Sequence, residues 1–249
     1  MRRSGPIHAV RTVGMCSLDI CPMPMGMVRG VFLSEPAGGF WRVQAGQGVM
    51  DNQFLVALAR HPAVRDALGR CYGRADMMLE AGWEQVADGM KAVMRGIGCE
   101  VIFTSPATRC RLVAQRIATA LGLEMHVDGR LHELDFGRWE GMLWRDVPRS
   151  DLEAWARDVE GYTFPEGENG RALRARIGAF WGDVMRQGRS CAVVTHGGPL
   201  RLMRALARGD VASLLAEAPP MGTVHVMQAR TFRECAHADA RGMAVPSVG

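Results

Sequence analysis

The chain has 249 residues, which is enough for one α/β domain with a full core or for two small domains. Its formal net charge is only +4, Lys91 is the single lysine, and no dense basic stretch is interleaved with aromatic residues, so we expect no nucleic-acid partner. The longest apolar runs are strand-sized and far short of the ~20 residues that a membrane span needs, so we expect no membrane partner either.

The first 49 residues differ in composition from the rest of the chain. They contain four prolines with many glycines and methionines, and they show no sustained hydrophobic period. Arg2 and Arg3 are followed by Ser, Gly and Pro rather than by the apolar run of a signal peptide. We therefore expect 1–49 to be a disordered N-terminal extension, or an over-extended gene start. The folded domain is expected to span 50–230, with an irregular tail at 231–249.

From residue 54 onward, strand patterns alternate with helix patterns. Such alternation predicts one α/β domain with a mainly parallel central sheet. Ser150 with Glu153 has the spacing of a capping box, and Asn169 is a candidate N-cap. The predicted strands are 54–59, 101–104, 191–195 and 223–228, and the predicted helices are 82–95, 107–121, one opening at Ser150, one capped by Asn169, and 199–207.

Two histidines follow directly on fully apolar strand patterns. His61 comes after the run at 54–59 and Arg60, and His196 comes after the run at 191–195. Continuous apolar runs of this length are typical of parallel strands buried on both faces. Because ligands in such sheets bind beyond the carboxyl ends of the strands, these two imidazoles are predicted to lie at a functional site.

Arginines are predicted at the same edge of the sheet. Arg60 precedes His61, and Arg109 falls in the first turn of the helix that follows strand 101–104. Helix N-termini favour anions, and the planar guanidinium donates two hydrogen bonds at once to a phosphate. The pattern therefore predicts a site for a small anion.

A proton donor for a leaving alcohol is expected from the glycine-bearing loop at 131–141. Glu133, Asp135 and Glu140 are the three candidates there. His132 and Glu133 begin like the His-Glu-x-x-His zinc motif, but Phe136 stands where the second histidine is needed. The seven cysteines are scattered without Cys-x-x-Cys spacing, so we expect no metal, no other cofactor and a reducing, cytoplasmic setting.

Six segments in order resemble the histidine phosphatase superfamily in its phosphoglycerate-mutase-like branch. Arg60-His61 is similar to the first half of the Arg-His-Gly signature, and Thr195-His196-Gly197-Gly198 is similar to the second-histidine motif. The other four resemble L-x-x-G-x-x-Q, S-P-x-x-R, L-x-E-x-x-F-G-x-W-E-G and P-x-G-E, and they lie at 79–85, 105–109, 131–141 and 165–168. Each motif alone is weak, whereas six in order are specific.

This resemblance implies a three-layer α/β sandwich and a catalytic set of His61, Glu133 and His196. His61 would be the nucleophile that becomes phosphohistidine, Glu133 the acid and later the base, and His196 a ligand of the phosphoryl oxygens. The implied substrate-binding residues are Arg60, Arg109 and Gly197, with Arg65 and Arg74 as candidates for extra phosphate contacts. Phosphoryl transfer needs in-line positioning and cations on the equatorial oxygens, which agrees with these roles.

The chain departs from the family pattern after the first histidine. Pro62 stands where glycine is expected, which removes an N–H and favours extended backbone at His61. Extended backbone suits a residue at a strand end, so we expect the site to survive. The following loop, 69–76, resembles versions of the family described as α-ribazole phosphatase-like, which would connect the chain to cobalamin biosynthesis.

The sequence therefore predicts a phosphatase for a small phosphorylated metabolite, with α-ribazole 5′-phosphate as one candidate. One alternative is a phosphoglycerate mutase, although the short segment 141–168 argues against the closed lid that a mutase needs. The other is an inactive phospho-ligand-binding protein, for which Pro62 is the sole indication. The oligomeric state is left open.

Overall fold

A computed structural model describes residues 53–211 and 213–230. The predicted extension at 1–49 and the tail at 231–249 lie outside the described residues. Five strands and five α-helices follow one another in the described part of the chain. They are β1 (Gln53–Arg60), α1 (Trp83–Gly96), β2 (Val101–Thr104), α2 (Thr108–Leu121), β3 (Glu124–Val127), α3 (Arg149–Arg157), α4 (Gly170–Gln187), β4 (Cys191–Thr195), α5 (Gly197–Arg208) and β5 (Val224–Arg230).

The strands form one mixed sheet in the order β3-β2-β4-β1-β5. The first four strands are parallel, and β5 is antiparallel to β1 at one edge. In the centre of the sheet, Arg60 of β1 lies opposite Thr195 of β4, and Thr104 of β2 lies opposite Val194. The predicted α/β class with a mainly parallel sheet is confirmed.

Helices cover both faces of the sheet, which makes three layers. Val56, Leu58 and Val193 contribute to a core shared with α4 and α5. Ala57, Ala59 and Val194 point to the other face and pack with α1 and α2. Alternate residues of one strand face opposite sides, so both faces of these strands must be apolar. This explains the uninterrupted apolar runs in the sequence.

α1 and α2 begin one residue after their predicted starts; of the other three helix starts, one agrees with the sequence pattern and two differ. Asn169 caps α4, because its side-chain oxygen accepts a hydrogen bond from the Ala172 amide at 2.9 Å. The capping box predicted at Ser150 is wrong, because α3 starts at Arg149 with Pro148 as N-cap, and Glu153 accepts instead from the Arg149 side chain. α5 begins at Gly197, two residues before the predicted start, with His196 as its N-cap.

The sequence patterns also missed strand β3. Its four residues are mostly exposed because it pairs only with β2, at the edge of the sheet. In the described part of the chain, none of the helices combines the length and the apolar character that crossing a membrane requires.

Candidate active site

The parallel register of β1, β4 and β2 brings three polar residues together at the carboxyl edge of the sheet. His61 follows β1, His196 follows β4, and Ser105 follows β2. The His61 amide donates to the Thr195 carbonyl at 3.0 Å, and the Ser105 amide donates to the Val194 carbonyl at 3.0 Å. The imidazole rings of His61 and His196 lie edge to face with centroids 5.3 Å apart. Residues 135 positions apart in sequence are therefore neighbours.

The imidazole of His61 is held in one tautomer. Its Nδ1 lies 2.7 Å from the Pro62 carbonyl oxygen, which can only accept, so Nδ1 carries the proton. Nε2 is then left with a lone pair and no proton. The carbonyl of residue 62 supplies this hydrogen bond whether that residue is glycine or proline, so Pro62 is compatible with a nucleophilic Nε2.

His196 is held in the opposite tautomer. Arg109 donates from Nη2 to Nδ1 of His196 at 3.2 Å, so Nδ1 has no proton, and Nε2–H donates to the Ser105 hydroxyl oxygen at 2.8 Å. The Cys110 sulfur lies 3.6 Å from the same Nε2. The Ser105 and Cys110 contacts were not predicted, although Ser105 opens the S-P-x-x-R segment.

Both histidines are neutral near pH 7. Only 1 % of the surface of each is exposed. Burial, and then the charge of nearby Arg109, lowers the pKa of His61 from its usual value to about 3. The same two causes, followed by the neighbouring His61, hold the pKa of His196 well below the usual histidine range. Neutrality leaves the Nε2 lone pair of His61 available for attack.

Two arginines bring positive charge to the histidines. Arg109 is 1 % exposed, and its guanidinium contacts His196 directly. Arg60 donates from Nη1 to the Pro219 carbonyl at 2.6 Å. A Cβ atom added at Gly197 would lie 3.3 Å from the Arg60 guanidinium carbon, so the first residue of α5 packs close against Arg60. A glycine at this position gives the guanidinium room at the helix N-terminus.

Of the three candidate carboxylates, Glu133 lies at the start of α5. Its oxygens accept hydrogen bonds from the Gly198 amide at 3.1 and 3.2 Å and from the Leu134 amide at 2.9 Å. A side chain at Gly198 would collide with the Glu133 carboxylate, so this close approach requires glycine. The carboxylate of Glu133 is thus bonded to Gly198, which lies two residues after His196 at the N-terminus of α5.

The other two carboxylates have structural partners. Glu140 accepts from the amides of Arg74 at 2.7 Å, Ala75 at 2.6 Å and Phe136 at 3.1 Å. Asp135 accepts from the Gly137 amide at 2.9 Å and forms an ion pair with Arg74 at 3.3 Å. These contacts tie both side chains to loop backbone rather than to the histidines.

The loop at 71–76 closes over Arg109. Arg109 donates from Nη1 to the Ala75 carbonyl and from Nη2 to the Gly73 carbonyl, both at 2.7 Å. Asp76 accepts from the amide of Thr108 at 3.2 Å and from its hydroxyl at 2.7 Å, which fastens the loop to the start of α2. The two loop carbonyls take two of the five guanidinium N–H groups of Arg109, and its buried Nε has no hydrogen-bond partner among the described residues.

The two additional arginines predicted from the loop lie in different surroundings. Arg74 is engaged with Asp135 and with Glu168, the latter at 3.4 Å. Arg65 is exposed and lines a groove of about 360 Å³ with Met77, Met78 and Trp83, and this groove also reaches Arg109. The structure gives neither side chain a contact with the two histidines.

A family model for the histidine phosphatase superfamily, branch 1, matches residues 56–236. The chain belongs to this superfamily. The match includes His61, Arg109, Glu133 and His196.

Known proteins similar to this chain carry several names. Phosphoserine phosphatase 1 of Hydrogenobacter thermophilus is 29 % identical over 152 residues, which cover 59 % of this chain and 72 % of that protein. A protein of Yersinia enterocolitica named "Probable phosphoglycerate mutase GpmB" is 30 % identical over 190 residues, covering 72 % of this chain and 81 % of that protein. The α-ribazole phosphatase structure from Shigella flexneri has a TM-score of 0.65 at 22 % identity, covering 78 % of this chain and all of that one.

Other curated relatives are considerably longer. A bifunctional protein of Mycobacterium tuberculosis is 33 % identical over 157 residues, which are 60 % of this chain but 43 % of that protein. This chain therefore spans less than half of the length of such a relative.

Metal ligands are not clustered in 53–211 or 213–230. No group of three or more His, Cys, Asp or Glu side chains in these ranges is arranged to hold a metal ion.

Proposed function

We propose that this protein is a phosphatase that hydrolyses a small phosphomonoester through a phosphohistidine on His61. The observation that carries the proposal is the pair of buried, neutral imidazoles beside Arg109, with the His61 proton held on Nδ1. A nitrogen lone pair next to cations is what attack on a phosphoryl group requires.

In the first step, Nε2 of His61 attacks phosphorus and the bond from phosphorus to the ester oxygen breaks. Arg60, Arg109 and the Nε2–H of His196 would neutralise charge on the equatorial oxygens, with phosphate taking the place of Ser105 on His196. Glu133 would give its proton to the departing alkoxide, an effect typically worth ~10²–10⁴-fold in rate.

In the second step, water attacks the phosphohistidine. Glu133, now a carboxylate, takes a proton from that water while the N–P bond breaks and the electron pair returns to His61. Free phosphate leaves and Glu133 is protonated again, so the cycle closes without an additional reactant. The backbone amides of Leu134 and Gly198 hold the carboxylate in place through both steps.

The identity of the ester is tested by a panel of phosphate esters. We expect turnover of p-nitrophenyl phosphate, and we include phosphoserine, 3-phosphoglycerate and α-ribazole 5′-phosphate because similar proteins carry names that refer to these compounds. His61→Ala is expected to lower phosphate release by at least ~10³-fold, because the nucleophile is lost. Equal rates for His61→Ala and the parent protein would remove His61 from the mechanism.

A mutase is the second candidate, and the relative named as a phosphoglycerate mutase favours it. A mutase passes the phosphoryl group to an acceptor, whereas a phosphatase releases it to water. Labelled phosphate that appears on an acceptor phosphoglycerate rather than as free phosphate would select the mutase. Binding of phosphate esters without turnover of any of them would select an inactive binding protein.

We further propose a reducing, cytoplasmic setting. Cys71, Cys99, Cys110 and Cys191 are free thiols, and burial raises the pKa of each to about 12, so they are poorly reactive.

A further inference from the structure

Arg176, in the first half of α4, contacts the backbone that carries Glu133. Its Nη1 donates to the carbonyls of Arg130 at 2.5 Å and His132 at 2.6 Å, and its Nη2 donates to the carbonyl of Glu133 at 2.9 Å. The side chain is 15 % exposed. A guanidinium has five N–H donors in a fixed plane, so it can hold several carbonyls in one arrangement, which a lysine cannot.

Glu168 completes this arrangement. Its carboxylate accepts from Nε of Arg176 at 3.1 Å and from Nη2 at 2.5 Å, so it fixes the plane of the guanidinium. The same carboxylate accepts from the Asp135 amide at 3.1 Å. The Arg176–Glu168 pair therefore holds the backbone of the segment 130–135 by hydrogen bonds both before and after Glu133.

We infer that the Arg176–Glu168 pair is a positioning device for the proton donor, an inference that rests on the proposed role of Glu133. The carboxylate of Glu133 is fixed by α5 through Gly198, and its backbone is fixed by α4 through Arg176. The hydrogen bonds of Arg176 and Glu168 do not reach His61 or His196. They affect the reaction through the position of the carboxyl group that delivers the proton. A misplacement of that group by ~1 Å lowers the rate about 100-fold.

Leaving-group dependence distinguishes positioning of the acid from a general structural role. An alkoxide must be protonated as it leaves, whereas p-nitrophenolate leaves without a proton. We propose to measure kcat/KM, which reports the steps up to the phosphoenzyme, for an alkyl phosphate and for p-nitrophenyl phosphate. The variants are Arg176→Met, Arg176→Lys and Glu168→Gln.

Arg176→Met is expected to lower kcat/KM for the alkyl phosphate about 100-fold and that for p-nitrophenyl phosphate less than about 10-fold. Arg176→Lys keeps the charge but loses the planar fork, so its loss should follow the same pattern at a smaller size. Glu168→Gln keeps the shape of the side chain and should also lose more on the alkyl phosphate. The matched control is Arg186→Met, an exposed arginine on the same helix, for which both values should stay within about twofold.

Glu133→Gln is the reference variant that separates the two proposals. If it shows the leaving-group pattern while the Arg176 and Glu168 variants lose both substrates equally, the positioning inference is overturned and the proposed function stands. If Glu133→Gln itself loses both substrates equally, Glu133 is not the acid and the positioning inference fails with it, whereas the phosphohistidine on His61 is tested separately by His61→Ala. Should Arg176→Met not fold, Arg176→Lys and Glu168→Gln carry the test.

Discussion

At the residue scale, the two buried histidines determine what the site can do. Desolvation makes the charged form of an imidazole expensive, so both rings stay neutral far below the usual pKa of histidine. Their hydrogen bonds then decide which nitrogen carries the proton. The bond to the Pro62 carbonyl leaves Nε2 of His61 without a proton, and the bond from Arg109 leaves the proton of His196 on Nε2.

Burial of the two histidines makes the free energy of unfolding depend on pH. In the unfolded chain a histidine takes up a proton below about pH 6.5, whereas His61 in the folded protein does so only near pH 3. The unfolded state therefore binds more protons between these values, and the folded state loses stability as the pH falls. Each neutral histidine is expected to contribute a loss of about 1.4 kcal/mol per pH unit below 6.5.

We expect the free energy of unfolding, measured in urea between pH 6.5 and 4.5, to fall with this slope for each of His61 and His196. Replacement of either histidine with glutamine should reduce the slope by about 1.4 kcal/mol per pH unit, whatever the variant's absolute stability. Carboxylates with lowered pKa values, such as Asp128 and Asp183, add to the slope only from about pH 5 downward, and they are present in parent and variants alike, so they cancel in the comparison. Slopes that are identical in parent and variants would show that the imidazoles are not buried as described.

Which residues meet at the site could be predicted only in part from the sequence. His61, His196 and Arg109 could be predicted to converge, because each follows a strand of one parallel sheet. Arg176 could not, because it lies on a helix far along the chain, and only the fold places its guanidinium under the carbonyls of 130–133. Among the three loop carboxylates, composition alone made no choice and the family resemblance implied Glu133; the structure adds that Glu133 lies at the start of α5, whereas Asp135 and Glu140 bond loop backbone.

At the element scale, the loop at 71–76 is an important part of the site although it contains no regular secondary structure. Glu140 accepts hydrogen bonds from two amides of this loop and from the Phe136 amide. Gly73 packs so closely against Leu134, Phe136 and Glu140 that any side chain would collide with them. These contacts fix the loop in place, and its carbonyls accept hydrogen bonds from Arg109.

Glu140→Ala is expected to destabilise the fold, because it leaves three amides without an acceptor. We expect the free energy of unfolding to fall by about 3 kcal/mol, whereas Glu133→Gln should change it by less than about 1 kcal/mol. Urea unfolding of both variants, with kcat/KM for an alkyl phosphate measured alongside, tests the division of roles. A stable Glu140→Ala protein that loses alkyl phosphate hydrolysis would reassign the acid to Glu140.

Elements buried on both faces were predictable, and elements at the edge of the sheet were not. β1, β2 and β4 are apolar throughout because helices cover both of their faces. β3 pairs with one strand and its residues are mostly exposed, so its four residues do not show the apolar run of a buried strand. The start of α3 differs from the prediction because Arg149 and Pro148 open the helix before Ser150 can cap it.

At the scale of the whole molecule, chemistry follows from topology. Parallel strands in the order β2-β4-β1 bring three carboxyl ends side by side, and each end is followed by a polar residue that faces the same space. α5, which His196 caps, adds its amide groups, and α4 on the same face of the sheet holds the loop with Glu133. One folded sheet thus assembles two imidazoles, guanidinium groups and a carboxylate from segments that are distant in sequence.

The most direct measurement of the central claim is the capture of the phosphoryl group on the enzyme during turnover of p-nitrophenyl phosphate. The protein is quenched in alkali, which preserves phosphohistidine, and the peptide that contains His61 is analysed by mass spectrometry. We predict one phosphoryl group on His61, present in the parent protein and accumulated in Glu133→Gln, which lacks the base for the second step. A chain that stays free of phosphoryl groups while phosphate is released, or that carries one on a different residue, would contradict the account.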